Sequence, residues 1–414
     1  MSKKKGETIR KKILRNVFFL YSSQLVQFLL SFLFLTLLAR RLEVSDFGRY
    51  AYLIAFYSVA LTAVTFGLDQ LIIREVAREK SSASSYLSTV LLTKSIFSAG
   101  GILFSFLFSF HLPSELKGAF LIYLPFLIFN NFTLTFWYLA DAYERMEFRS
   151  LLSVLYQGLR VIFGLFFLFI SPTLPSLFTG LLLAEVLTFG LVLLVITIKF
   201  RIKLARPCSL AKILRPSFPF ALAVTFASLF YRTDVLVLKG LADDHSLGVY
   251  GLAQRLVSFV LLLAVAFADS VYPVFSRFYI EFRDQLARIF ARYLTFLFLA
   301  GLVCSLGIFI LAKPLLPLFF GNKFLPSLKP LNFLVISLPF LFGVQSFFVL
   351  FSAVNRQHFN IWLSIMGIAL IVLLSPTLFS VMGISGVALS FSLASFTVFL
   401  TSTFLARYLW RWSQ

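Results

Sequence analysis

The chain has 414 residues, of which 60% are hydrophobic, only 13% are charged and 54 are phenylalanine. A water-soluble domain is about 45–50% apolar and about 25% charged, so this chain lacks the polar side chains to cover a water-facing surface. Its net charge is nevertheless +20, from 37 Lys and Arg against 17 Asp and Glu. The same composition excludes disorder, collagen and coiled coil. So basic and so apolar a chain points to a membrane, with Lys and Arg marking the cytoplasmic side, and not to nucleic acid. The cysteines, Cys208 and Cys304, and the histidines, His111, His245 and His358, are too dispersed for a disulfide framework or a metal site. No cofactor is called for.

A membrane-crossing helix needs about 20 mostly apolar residues. Twelve such runs follow along the chain, at about 17–38, 50–68, 86–110, 118–140, 151–170, 174–198, 217–238, 249–270, 291–312, 331–354, 359–380 and 384–406. The first follows a KKK segment, but it ends on Arg40 and Arg41 in place of a small-residue cleavage site. It therefore reads as a retained span and not as a signal peptide. Alternating the sides, with Arg292 at the edge of the ninth run counted in the loop before it, puts 25 of the 37 basic residues on the side of the N-terminus, 8 on the other and 4 inside spans. Both termini are expected in the cytoplasm on this count. Arg40 and Arg41, on the outer side, run against it.

Two segments repeat at an offset of 200 residues. One runs from Gly48-Arg49-Tyr50 to Asp69, the other from Gly248-Val249-Tyr250 to Asp269. In both, Gly-x-Tyr opens an even-numbered span at the outer face and the Asp closes it at the inner face. Basic stretches follow, at 74–80 and 275–293. The second sets Phe275, Phe278, Phe282, Leu286 and Phe290 at helical spacing with Arg277, Arg283 and Arg288 between. It reads as an interfacial amphipathic helix. The expected architecture is all-α and polytopic: two pseudo-symmetric six-helix lobes around a central cavity. The N-terminal lobe covers 1–206 and the C-terminal lobe 207–414, joined by the basic linker at 199–216. Six spans is an even number, so this is a parallel repeat about an axis along the membrane normal. Secondary transporters built this way place the substrate between the repeats and rock them to alternate access.

Polar stripes run along the early spans of each lobe. Span 1 carries Asn16, Ser23, Gln27 and Ser31; span 2 Ser58, Thr62, Thr65 and Asp69; span 5 Ser153, Gln157 and Arg160. Span 7 carries Thr225, Ser228 and Arg232, and span 8 Tyr250, Gln254, Arg255 and Ser258. Single Ser and Thr in membrane helices are most often interhelical hydrogen-bonding groups. Charges inside a span cost at least about 2.5–3.5 kcal/mol and normally face water or a partner. Arg160 near mid-span faces the cavity or pairs with Glu185 on span 6. Asp234 can neutralise Arg232, although the two point apart on a helix. Lys94 lines the cavity or snorkels to the interface. Asp69 and Asp269 read as caps or salt-bridge partners. Four cations thus stand against Glu185 and Asp234, which favours an anionic substrate. Arg suits phosphate because its planar fork makes bidentate contacts. The substrate-binding candidates are Arg160, Arg232, Arg255 and Lys94, with Gln27, Gln157 and Gln254.

No P-loop is present, so transport is ion-coupled or passive. No outer loop is long enough for a glycan-synthesising site, the longest being 313–330, and no catalytic triad assembles from loop histidines. The chain is not expected to be an enzyme.

The stretch RNVFFLYSSQLVQFLLSFLFLTLLARRLEVSDFGRYAYLIAF, with LIIREVARE after it, resembles the Wzx-type polysaccharide-biosynthesis flippases. These belong to the multidrug/oligosaccharidyl-lipid/polysaccharide exporter superfamily. YRTDVLVLKGLADDHSLGVYGLAQRL, LFFGNKFLPSLKPL and VMGISGVALSFSLASF resemble its later signatures in order and spacing. Glu43 departs from the pattern, where relatives often have Gly. The resemblance implies two six-helix lobes in a V. It also implies transfer of a polyprenyl-diphosphate-linked oligosaccharide from the inner to the outer leaflet of a prokaryotic cytoplasmic membrane, for O-antigen or capsule synthesis. The diphosphate would meet the cationic side chains, and ion antiport, with protons, would drive the step. Glu185 is then the candidate coupling carboxylate. Implied partners are membrane lipids, the coupling ion, and the polysaccharide polymerase and chain-length proteins. The alternatives are a MATE-type multidrug/cation antiporter and a glycan-assembly membrane enzyme.

Overall fold

The computed structural model describes residues 2–78, 80, 83–143, 145–200, 205–207 and 209–411. Cys208, part of the 199–216 linker and the side chains of Asn16, Asp269 and Arg283 lie outside the described residues. Those described residues are helical with no strand, as a membrane demands: without water, each backbone N–H and C=O must be satisfied within the chain.

The helices are α1 (Ser2–Arg41), α2 (Val44–Thr65), α3 (Leu68–Arg78), α4 (Ala83–Phe108), α5 (Ser114–Tyr123), α6 (Phe126–Ala142), α7 (Met146–Ile170) and α8 (Leu174–Phe200). They continue as α9 (Leu210–Phe230), α10 (Thr233–Leu241), α11 (Asp244–Glu281), α12 (Arg283–Phe320), α13 (Leu328–Val335), α14 (Leu338–Ala353), α15 (His358–Met382) and α16 (Ile384–Arg411). Ten segments are long and apolar enough to cross a membrane, and two bent pairs raise the number to 12. The pairs are α9 with α10, bent by 47°, and the 322–335 segment with α14, bent by 49°. Each of the twelve spans read from the sequence has its counterpart. Their outward faces carry large exposed apolar side chains, among them Ile170 (66%), Val303 (68%), Ile310 (69%) and Phe404 (69%). On a soluble protein such a belt would drive aggregation; here it is the lipid-facing surface.

The chain forms two compact units: residues 1–42 with 60–221, and residues 43–59 with 222–414. The first is centred on Leu68, Leu71, Ile72, Leu87, Phe136 and Leu139, which draw α3, α4 and α6 together. In the second, Phe399 meets Phe298 at 5.5 Å, Phe340 at 5.8 Å and Phe347 at 5.9 Å. Lipid tails are as apolar as these rings, so the gain is close packing and ring geometry, not transfer from water.

Three expectations are corrected. The 275–293 stretch is not a separate interfacial helix. It forms the ends of α11 and α12, which meet at Phe282 (φ −143°, ψ 54°). Phe275, Leu286 and Phe290 are buried there, with Phe275 and Phe290 edge to face at 5.8 Å, while Arg277 points outward. The helical spacing is real, but only Phe275, Leu286 and Phe290 pack inward, and Phe282 stays 45% exposed. The expected outer loop at 313–330 is largely helical, because α12 runs on through Pro314 and Pro317 to Phe320 and a 3-10 turn covers Asn322–Ser327. Finally, span 2 does not carry Asp69 on the same helix as Ser58, Thr62 and Thr65. The chain turns at Phe66 (φ 53°) and Gly67 (φ 62°), and Asp69 sits in the first turn of α3. Gly67 supplies left-handed backbone at no steric cost.

The 200-residue repeat is visible as structure: α2 starts at Val44 and α11 at Asp244. Gly-x-Tyr lies one turn inside each helix and not at its opening. Gly48 and Gly248 face each other so closely that a Cβ on Gly48 would stand 2.5 Å from the Gly248 nitrogen, and one on Gly248 would stand 1.9 Å from the Val44 oxygen. Repeat-related residues meeting in this way is the pattern of a local two-fold axis. Arg49 ties the crossing with bonds to Asp244 (2.7 Å) and Asp46 (3.1 Å), and Lys239 also pairs with Asp244. Gly248→Leu is expected to cost at least about 1–3 kcal/mol as an overpacked contact. Thermal unfolding of the purified protein checks this against Gly240→Leu, where a Cβ would meet nothing within 4 Å. Equal melting of the two variants would contradict the crossing.

Candidate functional site

Three polar clusters lie inside the spans, two in the first unit and one in the second. In the first, α6, α7 and α8 enclose Glu185, which is 0% exposed. The Tyr156 hydroxyl donates to Glu185 Oε1, and Asn130 Nδ2 donates to Glu185 Oε2 at 3.0 Å and to Tyr156 Oη at 3.1 Å. Arg160 Nη1 donates to the same Tyr156 oxygen at 3.2 Å, four residues along α7. The choice left open between a cavity-facing and a Glu185-paired Arg160 thus takes a bridged form, with a tyrosine between cation and carboxylate. The helical i,i+4 spacing puts Tyr156 and Arg160 on one face of α7. Ser153 extends that face and accepts from Gln27 Nε2 of α1 at 3.0 Å. Gln157, one residue from Tyr156, is half-buried with no side-chain partner among the described residues.

The second cluster joins α3, α4 and α6. Lys94 Nζ donates to Asp69 Oδ1 at 2.6 Å and to the Asn131 carbonyl at 3.1 Å. Both side chains are buried, at 0% and 3% exposure. Asn131 spreads the network to Ser98 Oγ (3.1 Å), to the Val64 carbonyl (3.3 Å) and to Thr65, which donates to its Oδ1 at 3.2 Å. Lys94 therefore neither snorkels nor presents its ammonium to a cavity. Its charge is paired with Asp69. The turn at 66–67 is the cause: by breaking span 2 it swings Asp69 onto α4, a contact no continuous helix would make.

The third cluster stands at the bend between α9 and α10. Arg232 is the residue before α10, and its Nη1 reaches Gln254 Oε1 at 3.3 Å and Ser258 Oγ at 3.4 Å on α11. Gln254 in turn donates to the Tyr231 carbonyl at 3.2 Å and accepts from Ser258 at 2.9 Å. Asp234 is 0% exposed and takes the Tyr250 hydroxyl at 2.6 Å and the Val235 N–H at 2.8 Å. Its hydrogen-bonding partner is thus the tyrosine of the Gly-x-Tyr repeat and not Arg232. Arg255 stacks over Tyr50, its guanidinium carbon 5.9 Å from the ring centre.

Of the candidate residues, Arg160 and Glu185 are joined through Tyr156, Arg232 with Gln254, and Gln27 with Ser153. Reading by charge missed Tyr156, Asn130 and Asn131. The adjacent Asn130 and Asn131 inside an otherwise apolar span were the visible signal for two of them. Arg41, which ran against the expected topology, stacks on Phe169 at 4.0 Å, so a cation–π contact holds it at the end of α1. No group of three or more His, Cys, Asp or Glu placed to hold a metal ion occurs among the described residues.

A chain whose described residues form helices, with ten to twelve spans and enclosed polar clusters, is a multi-pass membrane protein, and its fold is that of the MOP-superfamily transporters. An inward-facing multidrug resistance MATE family transporter of the MOP superfamily is 17% identical, with TM-score 0.76 over 94% of this chain and 96% of its own. The lipid II flippase MurJ in an inward closed conformation is 18% identical, with TM-score 0.75 over 95% and 87%. A MOP superfamily transporter from Pyrococcus furiosus, described by the reversed polarity of its binding pocket, is 15% identical, with TM-score 0.71 over 95% of each chain. A comparison with curated protein sequences found no match. The chain belongs to the polysaccharide biosynthesis protein family, whose model matches residues 13–279.

Proposed function

We propose that the protein is a flippase that carries polyprenyl-diphosphate-linked oligosaccharide units from the inner to the outer leaflet of a prokaryotic cytoplasmic membrane. The cell-surface polysaccharide polymerase and its chain-length proteins then use them. Membership of the polysaccharide biosynthesis family supports the glycan. The observation that carries the anionic head group is the placement of arginine within both units. Arg160 stands on α7 beside Tyr156, and Arg232 at the α9–α10 bend beside Gln254 and Ser258. Guanidinium groups half-buried among neutral donors and acceptors suit a diphosphate, which can take two N–H groups from each fork. Arg255 adds a third cation, and Gln27, Gln157 and Gln254 offer amides to sugar hydroxyls. Alternating access moves the head group while the lipid tail stays in the bilayer, with Glu185 as the ion-coupling carboxylate.

A MATE-like drug exporter shares the fold, but a cationic drug needs an accessible carboxylate. Here Asp69 is paired with Lys94, and Glu185 and Asp234 are each enclosed by hydrogen bonds. Deletion in the native host decides between the two. The proposal expects lipid-linked oligosaccharide to accumulate in the inner leaflet with drug tolerance unchanged. Increased drug sensitivity with normal surface glycan would overturn it.

A further inference from the structure

We infer that Tyr156 links anion binding at Arg160 to proton uptake at Glu185, so that the anionic head group and a proton bind together. The inference rests on the diphosphate reading of Arg160 given above and adds the sign of the coupling and the residue that transmits it.

The hydroxyl of Tyr156 is fully engaged. It has one hydrogen, given to Glu185, and two acceptor sites, which take Asn130 (3.1 Å) and Arg160 (3.2 Å). Glu185 accepts from Tyr156 and Asn130 and receives no other side-chain bond among the described residues. That is the pattern of an ionised carboxylate, an acceptor only. α8 packs against α5, α6 and α7. The ionisable groups acting on Glu185 are Arg160 and Tyr156, both on α7; α6 contributes only the amide of Asn130, and α5 presents no charge to it. Arg160 is therefore the counter-charge of an enclosed carboxylate, and it acts through one hydroxyl.

A diphosphate that takes the Arg160 fork neutralises that cation and draws its N–H away from Tyr156. Glu185 then keeps its hydrogen bonds from Tyr156 and Asn130 but loses its counter-charge, and a buried charge without one is costly. A proton from water adds to a Glu185 oxygen; Tyr156 keeps its own proton, and no other bond is made or broken. Linkage is reciprocal, so a protonated Glu185 frees Arg160 for the anion. Strict exchange would need proton and cargo to compete, and this geometry makes them cooperate. A doubly charged head group with one proton still moves net negative charge outward, the direction an inside-negative potential favours.

The test is calorimetric titration of the purified full-length protein with farnesyl diphosphate, in buffers of different ionisation enthalpy between pH 6 and 9. Wild type is expected to take up a proton on binding ligand and to lose affinity as the pH rises, by up to about tenfold per pH unit, the limit for one linked proton. Glu185→Gln should bind with a flat pH profile and without that uptake. The ligand's own proton change is common to both proteins and cancels in the difference. Tyr156→Phe, which keeps the ring, should lose at least half of the uptake. Proton release on binding, equal uptake in Glu185→Gln, or full uptake in Tyr156→Phe overturns the linkage while leaving the diphosphate reading intact. No binding by wild type overturns both.

Discussion

Replacing Arg160 and Arg232 together with Gln is expected to stop head-group translocation while leaving membrane insertion unchanged. Arg160 donates to Tyr156, and Arg232 donates to Gln254 and Ser258. A charge-assisted hydrogen bond is worth about 1.5–3 kcal/mol, so losing one at either arginine removes about that much head-group binding there. That is about a 10–10²-fold fall in affinity at each site. The single variants should fall between wild type and the double, since the two sites lie in separate units. Lys at both positions keeps the charge but not the fork and should recover only part of the loss. Translocation by the Gln double variant within threefold of wild type would remove these residues from the site.

The second large effect is on stability. Lys94→Ala is expected to cost about 3–5 kcal/mol, because it leaves Asp69 as an uncompensated buried charge. The pair is 2.6 Å apart with side-chain exposures of 0% and 3%, so Asp69 sits away from bulk water when its ammonium is removed. The Asn131 carbonyl would also lose one of its side-chain donors, keeping Thr135 Oγ1 at 3.0 Å. The double variant Lys94→Met, Asp69→Leu removes both charges and should recover most of the loss, as apolar replacements of buried pairs do. Thermal unfolding in detergent, scored as a double-mutant cycle, measures the coupling. A single variant that melts like wild type, or a double variant no better than the single, contradicts a buried structural pair.

The twelve spans were legible because each is a run of apolar residues of the length a bilayer requires, and that signal is local. The bends were less so. Nothing in the TFGLDQ stretch announces two consecutive residues at positive φ, although Gly67 hinted at it. Missing that turn placed Asp69 on the wrong helix and hid its partner Lys94. The 275–293 stretch shows the reverse: its periodicity was read correctly, but spacing alone does not say whether Phe275 and Phe290 face lipid or protein. The same limit applies to the site. Arg160 and Glu185 stood out because charge in a span is costly, and their approximate proximity followed from matching depth. Tyr156 did not stand out, because tyrosine is common in membrane helices; the Asn130–Asn131 pair was visible in its span, but its role depends on three helices meeting. Tyr250 was found as part of a repeat, but its bond to Asp234 is a tertiary contact that the repeat did not encode.

The central claim is best tested by reconstituting the purified protein in liposomes with a fluorescent short-chain lipid carrying an oligosaccharide. One version of the lipid is linked through a diphosphate and the other through a neutral ether. Leaflet exchange is followed by accessibility to a membrane-impermeant quencher. Rapid exchange of the diphosphate-linked lipid, slow exchange of the neutral one, and loss of the difference in the Arg160→Gln, Arg232→Gln protein are predicted. Equal exchange of both lipids, or none above empty liposomes, would contradict a flippase that recognises its cargo through a diphosphate.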